Sequence, residues 1–272
     1  MSANMKISNL FRGTLVAVTC GLSVVAISTS ASAAQTLVDL ELSLLTDVSG
    51  SVVLSEFNLL KQGYVNAFAN PDLFNNFISK GQYGKIAVNY IYWSGASEQQ
   101  ETIGWTLIDS VAASQNFANL INTAARPFSG LTAPGSAINF ATPKFFNNAF
   151  DGTRQVIDVA GDGAQNAGAN TLAARNAALA AGVDAINGII IGGESGLANF
   201  YQNNIVGGIN ADGSPAFLKT ATNFQTFGEA IDQKLKAEIK PTTVPEPASL
   251  IGILGLGAFG VTSLRKRKQT AI

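Results

Sequence analysis

Three short stretches of the chain combine carboxylates and hydroxyls at spacings suited to holding a cation. They are Asp47-Val48-Ser49-Gly50-Ser51, Gly130-Leu131-Thr132-Ala133-Pro134-Gly135 and Gly161-Asp162-Gly163. Asp47, Ser49, Ser51, Thr132 and Asp162 together offer two carboxylates and three hydroxyls. Oxygen donors of this kind are hard ligands, suited to Mg²⁺, Mn²⁺ or Ca²⁺ and not to zinc or copper. Asp and Ser ahead of a helix are also ordinary N-caps, so the first stretch has a purely structural reading until the other two join it.

Composition removes most rival chemistries. The 272 residues contain no histidine, which excludes a Ser-His-Asp triad, a Cys-His dyad, His-ligated zinc and an imidazole base. The lone Cys20 falls in an apparent leader, leaving the rest without a disulfide or a thiol nucleophile. There is no G-x-S-x-G elbow, and the glycines of 161–163 lack the third that a dinucleotide loop needs, Asn166 standing in its place. The charged fraction of 13% and hydrophobic fraction of 47% suit an α/β domain with a buried sheet. Net charge is −1 overall; the two ends take six of the 17 basic residues and one of the 18 acidic ones, leaving the body near −6. An acidic body favours cations and points away from nucleic acid.

The elements that must position these groups alternate. Strands are expected at 37–46, 86–93, 102–108, 156–160 and 184–191, with a last edge strand near Phe217. Helices are expected at 54–69 (closed by Pro71), 114–125, 136–148, 172–181 and 223–239, with one short helix in the loop region 194–215. The order implies a mainly parallel sheet of about six strands with helices on both faces, and the hairpin 86–108 supplies one antiparallel edge strand. In such open sheets the functional crevice lies at the carboxyl ends of the central strands, where all three stretches fall. Asp158, mid-strand, is read as a carboxylate that is structural or supports the ligands from behind, and Trp93 and Trp105 as hairpin packing and not ligand contacts.

The pattern D-x-S-x-S at Asp47, Ser49 and Ser51, then T-x-x-G at Thr132 and Gly135, then strand-terminal Asp162 resembles the von Willebrand factor A domain. VIDVAGDG and FGEAIDQKLKAEI further resemble an uncharacterised bacterial branch of it. The resemblance implies a three-layer, Rossmann-like fold over 34–240 and a metal-ion-dependent adhesion site. Ser49, Ser51 and Thr132 would ligate Mg²⁺, or Mn²⁺ or Ca²⁺, through hydroxyls, with Asp47 and Asp162 acting directly or through water. With only two charged ligands the ion stays electron-poor and can accept a carboxylate from a protein or polysaccharide partner. The implied role is non-enzymatic adhesion, with a metal-free extracellular scaffold as the alternative. A haloacid-dehalogenase-like phosphatase also fits in outline through Asp47, Thr132, Lys144 and Asp162, but Ser49 replaces its general acid and a hydroxyl cannot make that proton transfer at neutral pH.

The ends read as addresses. Residues 1–33 have a basic start, an apolar run and the small-residue site Ala31-Ser32-Ala33, the pattern of a secretory signal peptide cut by signal peptidase. Residues 241–272 carry Val244-Pro245-Glu246-Pro247, the 17 uncharged residues 248–264, and the basic cluster 265–268. That order resembles the PEP-CTERM sorting signal of Gram-negative bacteria, processed by an exosortase at Pro245, Glu246 and Pro247. The stretch 248–264 can just cross a bilayer as a transmembrane segment. The chain is thus expected to be exported, transiently anchored in a membrane by its tail, and delivered to the cell surface or the biofilm matrix.

Overall fold

The computed structural model describes residues 34–240. The expected signal peptide, transmembrane stretch and sorting motif lie outside the described residues. Among the described residues no helix is long and apolar enough to cross a membrane.

The main sheet is built from β2 (Glu41–Asp47), β3 (Ile86–Trp93), β4 (Gln99–Ile108), β6 (Gln155–Gly161), β7 (Ala185–Ile191), β8 (Gly207–Gly208) and β9 (Leu218–Ala221). Its order is β4-β3-β2-β6-β7, with β8 and β9 both on the far edge of β7. The pairs β2–β3, β2–β6, β6–β7 and β7–β9 are parallel, whereas β4 runs antiparallel to β3 as the hairpin predicted. The fold class read from the sequence is therefore the one observed, and the two-residue β8 adds a second, short antiparallel pairing.

Period-two alternation splits the central strands between two cores. Leu42 and Leu44 of β2 meet α1 (Leu54–Ala69), α3 (Val111–Thr123) and α7 (Phe224–Ile239) through Phe57, Tyr64, Phe117 and Phe227. Leu45 of β2, with Ile157 and Val159 of β6, meets α4 (Pro134–Ala141), α5 (Thr171–Ala181) and α6 (Leu197–Asn204). β2 and β6 are buried on both faces, each large apolar side chain contributing about 1.5–3 kcal/mol.

Several boundaries differ from expectation, among them the helix expected at 114–125, which runs Val111–Thr123. The strand expected at 37–46 breaks at Asp39 and Leu40. Asp39 accepts the backbone N–H groups of Tyr83 and Lys85, while β1 (Thr36–Val38) turns aside to pair with β5 (Phe150–Gly152) in a separate two-stranded sheet. Pro71 opens α2 (Pro71–Asn76) instead of only closing α1, because a proline at the first helical position loses no hydrogen bond and Asn70 caps the helix by accepting from Asp72 N–H. The helix expected at 136–148 ends at Ala141, since Pro143 cannot donate; a single 3₁₀ turn, Thr142–Lys144, follows. The hairpin strand expected at 102–108 begins earlier, at Gln99.

Candidate metal centre

β2 and β6 are neighbours, but β2 continues through α1 to β3 on one side while β6 continues through α5 to β7 on the other. This reversal opens a crevice at the carboxyl ends of the two strands, the place where such sheets put their sites. Asp47 ends β2, and Asp162 directly follows Gly161, the end of β6. The loop carrying Thr132 closes the third side.

The structure brings the first, second and third stretches together. Ser49 Oγ lies 3.1 Å from Ser51 Oγ, and Ser51 Oγ donates to Asp162 Oδ1 at 2.7 Å. Asp47 Oδ1 accepts the backbone N–H of Ser49 at 2.7 Å. The N-cap reading of these serines fails. The cap of α1 is Val53, whose N–H donates to Glu56 Oε2 at 2.9 Å, so neither serine hydroxyl is spent on the helix. Thr132 is buried and tied to the Asp162 loop from both sides. Its N–H donates to Asn166 Oδ1 at 2.8 Å, and its carbonyl accepts from Asn166 N–H at 3.0 Å. A Cβ placed on Gly163, next to Asp162, would lie 3.6 Å from Thr132 Oγ1, which sets that hydroxyl beside the acidic loop.

Two glycines are there for closeness. A Cβ at Gly161 would sit 2.8 Å from Asp47 Oδ2 and as near the Tyr201 hydroxyl, so only glycine lets the two strand ends carry the carboxylate between them. The glycine of the T-x-x-G pattern, Gly135, faces the carbonyl of Ala169 closely enough that any side chain would collide, which is how α4 packs down onto the following loop.

Electrostatically the crevice is unbalanced. Asp47 is wholly buried, and its Oδ2 finds no hydrogen-bond partner among the described residues. Burial first, and the neighbouring Asp162 charge second, push the Asp47 carboxyl up to about 7. Asp162 is raised too, mainly by burial and further by Glu56 and Glu194. Among the described residues neither carboxylate has a salt bridge. An unpartnered buried carboxylate oxygen, a second carboxylate and a run of hydroxyls are the donor set that a hard divalent cation satisfies. Three histidine, cysteine, aspartate or glutamate side chains do not gather anywhere among the described residues, so hydroxyls would have to complete any ion's shell here.

Two further residues position the site without any motif of their own. Arg126, in the loop after α3, donates to the carbonyls of Val48 (2.8 Å), Ser49 (2.7 Å) and Phe128 (2.9 Å), clamping the first stretch. Ser94, after β3, receives the N–H of Gly130 on its hydroxyl at 2.7 Å and accepts Ala133 N–H on its carbonyl at 2.9 Å, fixing both flanks of Thr132. Both act through backbone groups, which any residue presents, so no motif announces them.

Lys144, which the phosphatase alignment required beside the aspartates, stands beyond the far end of α4. Its ammonium pairs with Glu101 at 2.8 Å, so the structure does not assemble that constellation. Asp158 is structural, as expected: it is fully buried and paired with Lys234 of α7 at 2.6 Å. Trp93 is buried in the core and Trp105 packs edge-on against Phe145.

Comparison with known proteins agrees with this architecture. Residues 37–243 match the model of a family described as "Protein of unknown function (DUF1194)", and residues 243–268 match the PEP-CTERM protein-sorting motif. No curated protein matches the chain. Among solved structures, proximal thread matrix protein 1 from the mussel byssus, solved with a zinc-occupied MIDAS motif, is 15% identical with a TM-score of 0.57. The match covers 74% of this chain and 48% of that one. The pilus adhesin SpaC from Lactobacillus rhamnosus GG, in its open conformation, is 12% identical with a TM-score of 0.52, covering 76% and 30%. A von Willebrand factor type A protein from Catenulispora acidiphila is 13% identical with a TM-score of 0.50, covering 74% and 43%. The chain therefore spans half or less of the length of these structures, and the likeness establishes a von Willebrand A-type fold.

Proposed function

The chain belongs to the DUF1194 family, and we propose that it is a non-enzymatic binding module that holds a divalent cation at Asp47, Ser49, Ser51, Thr132 and Asp162. Its PEP-CTERM motif marks it for export and surface sorting in a Gram-negative bacterium, with exosortase processing. The single observation that carries the reading is the wholly buried Asp47, whose Oδ2 has no partner in a crevice where Asp162 and the serine hydroxyls converge. Mg²⁺, Mn²⁺ or Ca²⁺ suits these hard oxygens, and the zinc found in the MIDAS motif of the mussel protein supports a divalent ion of some kind.

A cation so held supplies an electron-poor centre for an acidic group of a partner. The chain's own residues do the rest. Asp47 and Asp162 balance the charge, the serine and threonine hydroxyls contribute oxygen without further charge, and Arg126 and Ser94 hold the loops in place. The partner is thereby a protein or polysaccharide presenting a carboxylate. Calorimetric titration of Mg²⁺ and Mn²⁺ into the full chain and into Thr132→Ala tests the assignment. Saturable binding that weakens about tenfold or more in the variant at unchanged fold is expected; equal affinity in both would remove Thr132 from the shell.

A further inference from the structure

At the other end of α4 from the metal centre, β4 and the turn after α4 enclose an open groove of about 530 Å³. That volume lies within the ~300–1,000 Å³ typical of small-molecule sites. Trp105 and Phe140 form its apolar surface, and Glu101, Lys144, Asn139 and Asn147 provide polar groups around them.

These side chains are held in place. The Trp105 indole N–H donates to the Lys144 carbonyl at 3.1 Å, and its ring stands edge-on to Phe145 at 5.1 Å, which fixes the plane of the half-buried indole. Glu101 is oriented through both oxygens: fully buried Asn89 donates to Oε1 and the Lys144 ammonium to Oε2, each at 2.8 Å. The Lys144 ammonium also lies 4.5 Å from the centroid of Phe140. β3 and β4 shift register at Asn89, and there its amide bonds the Glu101 carboxylate that borders the groove.

The chemistry selects a ligand class. A pyranose ring has a face of C–H groups that lies against an aromatic ring, and a rim of hydroxyls that both donate and accept. An oriented indole flanked by a carboxylate, an ammonium and two amides meets both requirements. Lys144 and Glu101 cancel in charge, while residues 34–240 carry a net charge near −6, so a polyanion is repelled and a neutral chain is not. The groove shares Asn139 and Pro143 with a second, more apolar groove of about 370 Å³ reaching Phe146 and Ala181. The surface therefore continues past the length of one ring, as a polymer requires.

We propose that this groove binds a neutral polysaccharide, with Trp105 as the stacking platform and Glu101, Lys144, Asn139 and Asn147 as hydroxyl partners. The site stands apart from the cation, since Asn139, its first lining residue on α4, lies about 8 Å of helix beyond Pro134 at the start of that helix.

The test uses the full chain in a detergent without a sugar headgroup, titrated with cellohexaose, mannohexaose, chitohexaose and, as the anionic control, oligogalacturonate. Saturable calorimetric binding of at least one neutral hexaose is expected, with a change in tryptophan emission that reports Trp105, because Trp93 is fully buried. Affinity should fall about tenfold or more in Trp105→Ala, survive in part in Trp105→Phe, and be unchanged when chelator is added to the wild type. The proposal is overturned if no neutral hexaose binds, if only the anionic oligomer binds, or if folded Trp105→Ala binds as the wild type does. A failed cation titration would leave this binding intact, so the two readings fall separately.

Discussion

Asp158 lies inside β6 and Asp162 just past its end, and each faces a second buried acid: Glu238 for Asp158, Asp47 for Asp162. The first pair encloses the ammonium of Lys234, 2.6 Å from Asp158 and 2.5 Å from Glu238, all three sealed from solvent. The second pair opens on the crevice and has no salt bridge among the described residues, and the Arg126 guanidinium beside the first stretch is spent on carbonyls. Burial first, and Asp158 second, push Glu238 up to about 7, against the pull of Lys234. Where the chain wants a closed core it brings its own cation; where it leaves an oxygen such as Asp47 Oδ2 unmatched, the missing charge has to come from outside.

The largest effect is expected from removing the internal cation. Lys234→Met leaves two buried acids facing each other and should destabilise the fold by about 3–5 kcal/mol, measured by urea unfolding. A variant as stable as the wild type would mean that the triad is not a charge-balanced unit. Next in size, Arg126→Gln should cost about 1–3 kcal/mol and weaken cation binding about tenfold, because the 48–49 backbone loses its clamp. Stability lost with ion affinity unchanged would confine Arg126 to the fold.

A further effect concerns pH. Asp47 and Glu238 have folded-state values near 7 against ordinary values of 3.8 and 4.5, so both bind protons more readily in the folded state. The stability they contribute is complete below about pH 4 and is lost as pH rises through about 7. Chelator-treated protein should accordingly melt higher at pH 5.5 than at pH 8. Added Mg²⁺ should raise Tm more at pH 8, because protons compete with the ion for Asp47. A cation effect equal at both pH values would detach the ion from Asp47.

Much of this was legible because it is local. Five residues from Asp47 to Ser51 carry their own geometry in one turn, and the apolar runs at 86–93 and 185–191 admit little but buried strands. The metal centre's supports were not legible, since the Ser94 hydroxyl acts on the backbone of Gly130, 36 residues on, and Arg126 on that of Ser49, 77 residues back. The triad lies between these cases. Asp158 was read from its mid-strand place in Val156-Ile157-Asp158-Val159, but Lys234 and Glu238 were not, because only the fold shows that they share a buried stripe of α7 with Phe227 and Ile231. The break at Asp39 was hidden for the same reason, as its carboxylate answers to Tyr83 and Lys85.

The most direct test of the central claim is thermal unfolding of the wild type and Asp47→Asn at pH 8, each with chelator and with Mg²⁺ or Mn²⁺. An ion that binds only the folded state raises Tm as its concentration passes Kd. The account predicts such a rise in the wild type and none in the variant. It also predicts that chelated Asp47→Asn melts above the chelated wild type, because the substitution removes an unbalanced buried charge while keeping the oxygen that receives Ser49 N–H. A wild type indifferent to every divalent ion, with Asp47→Asn the less stable of the two, would contradict it.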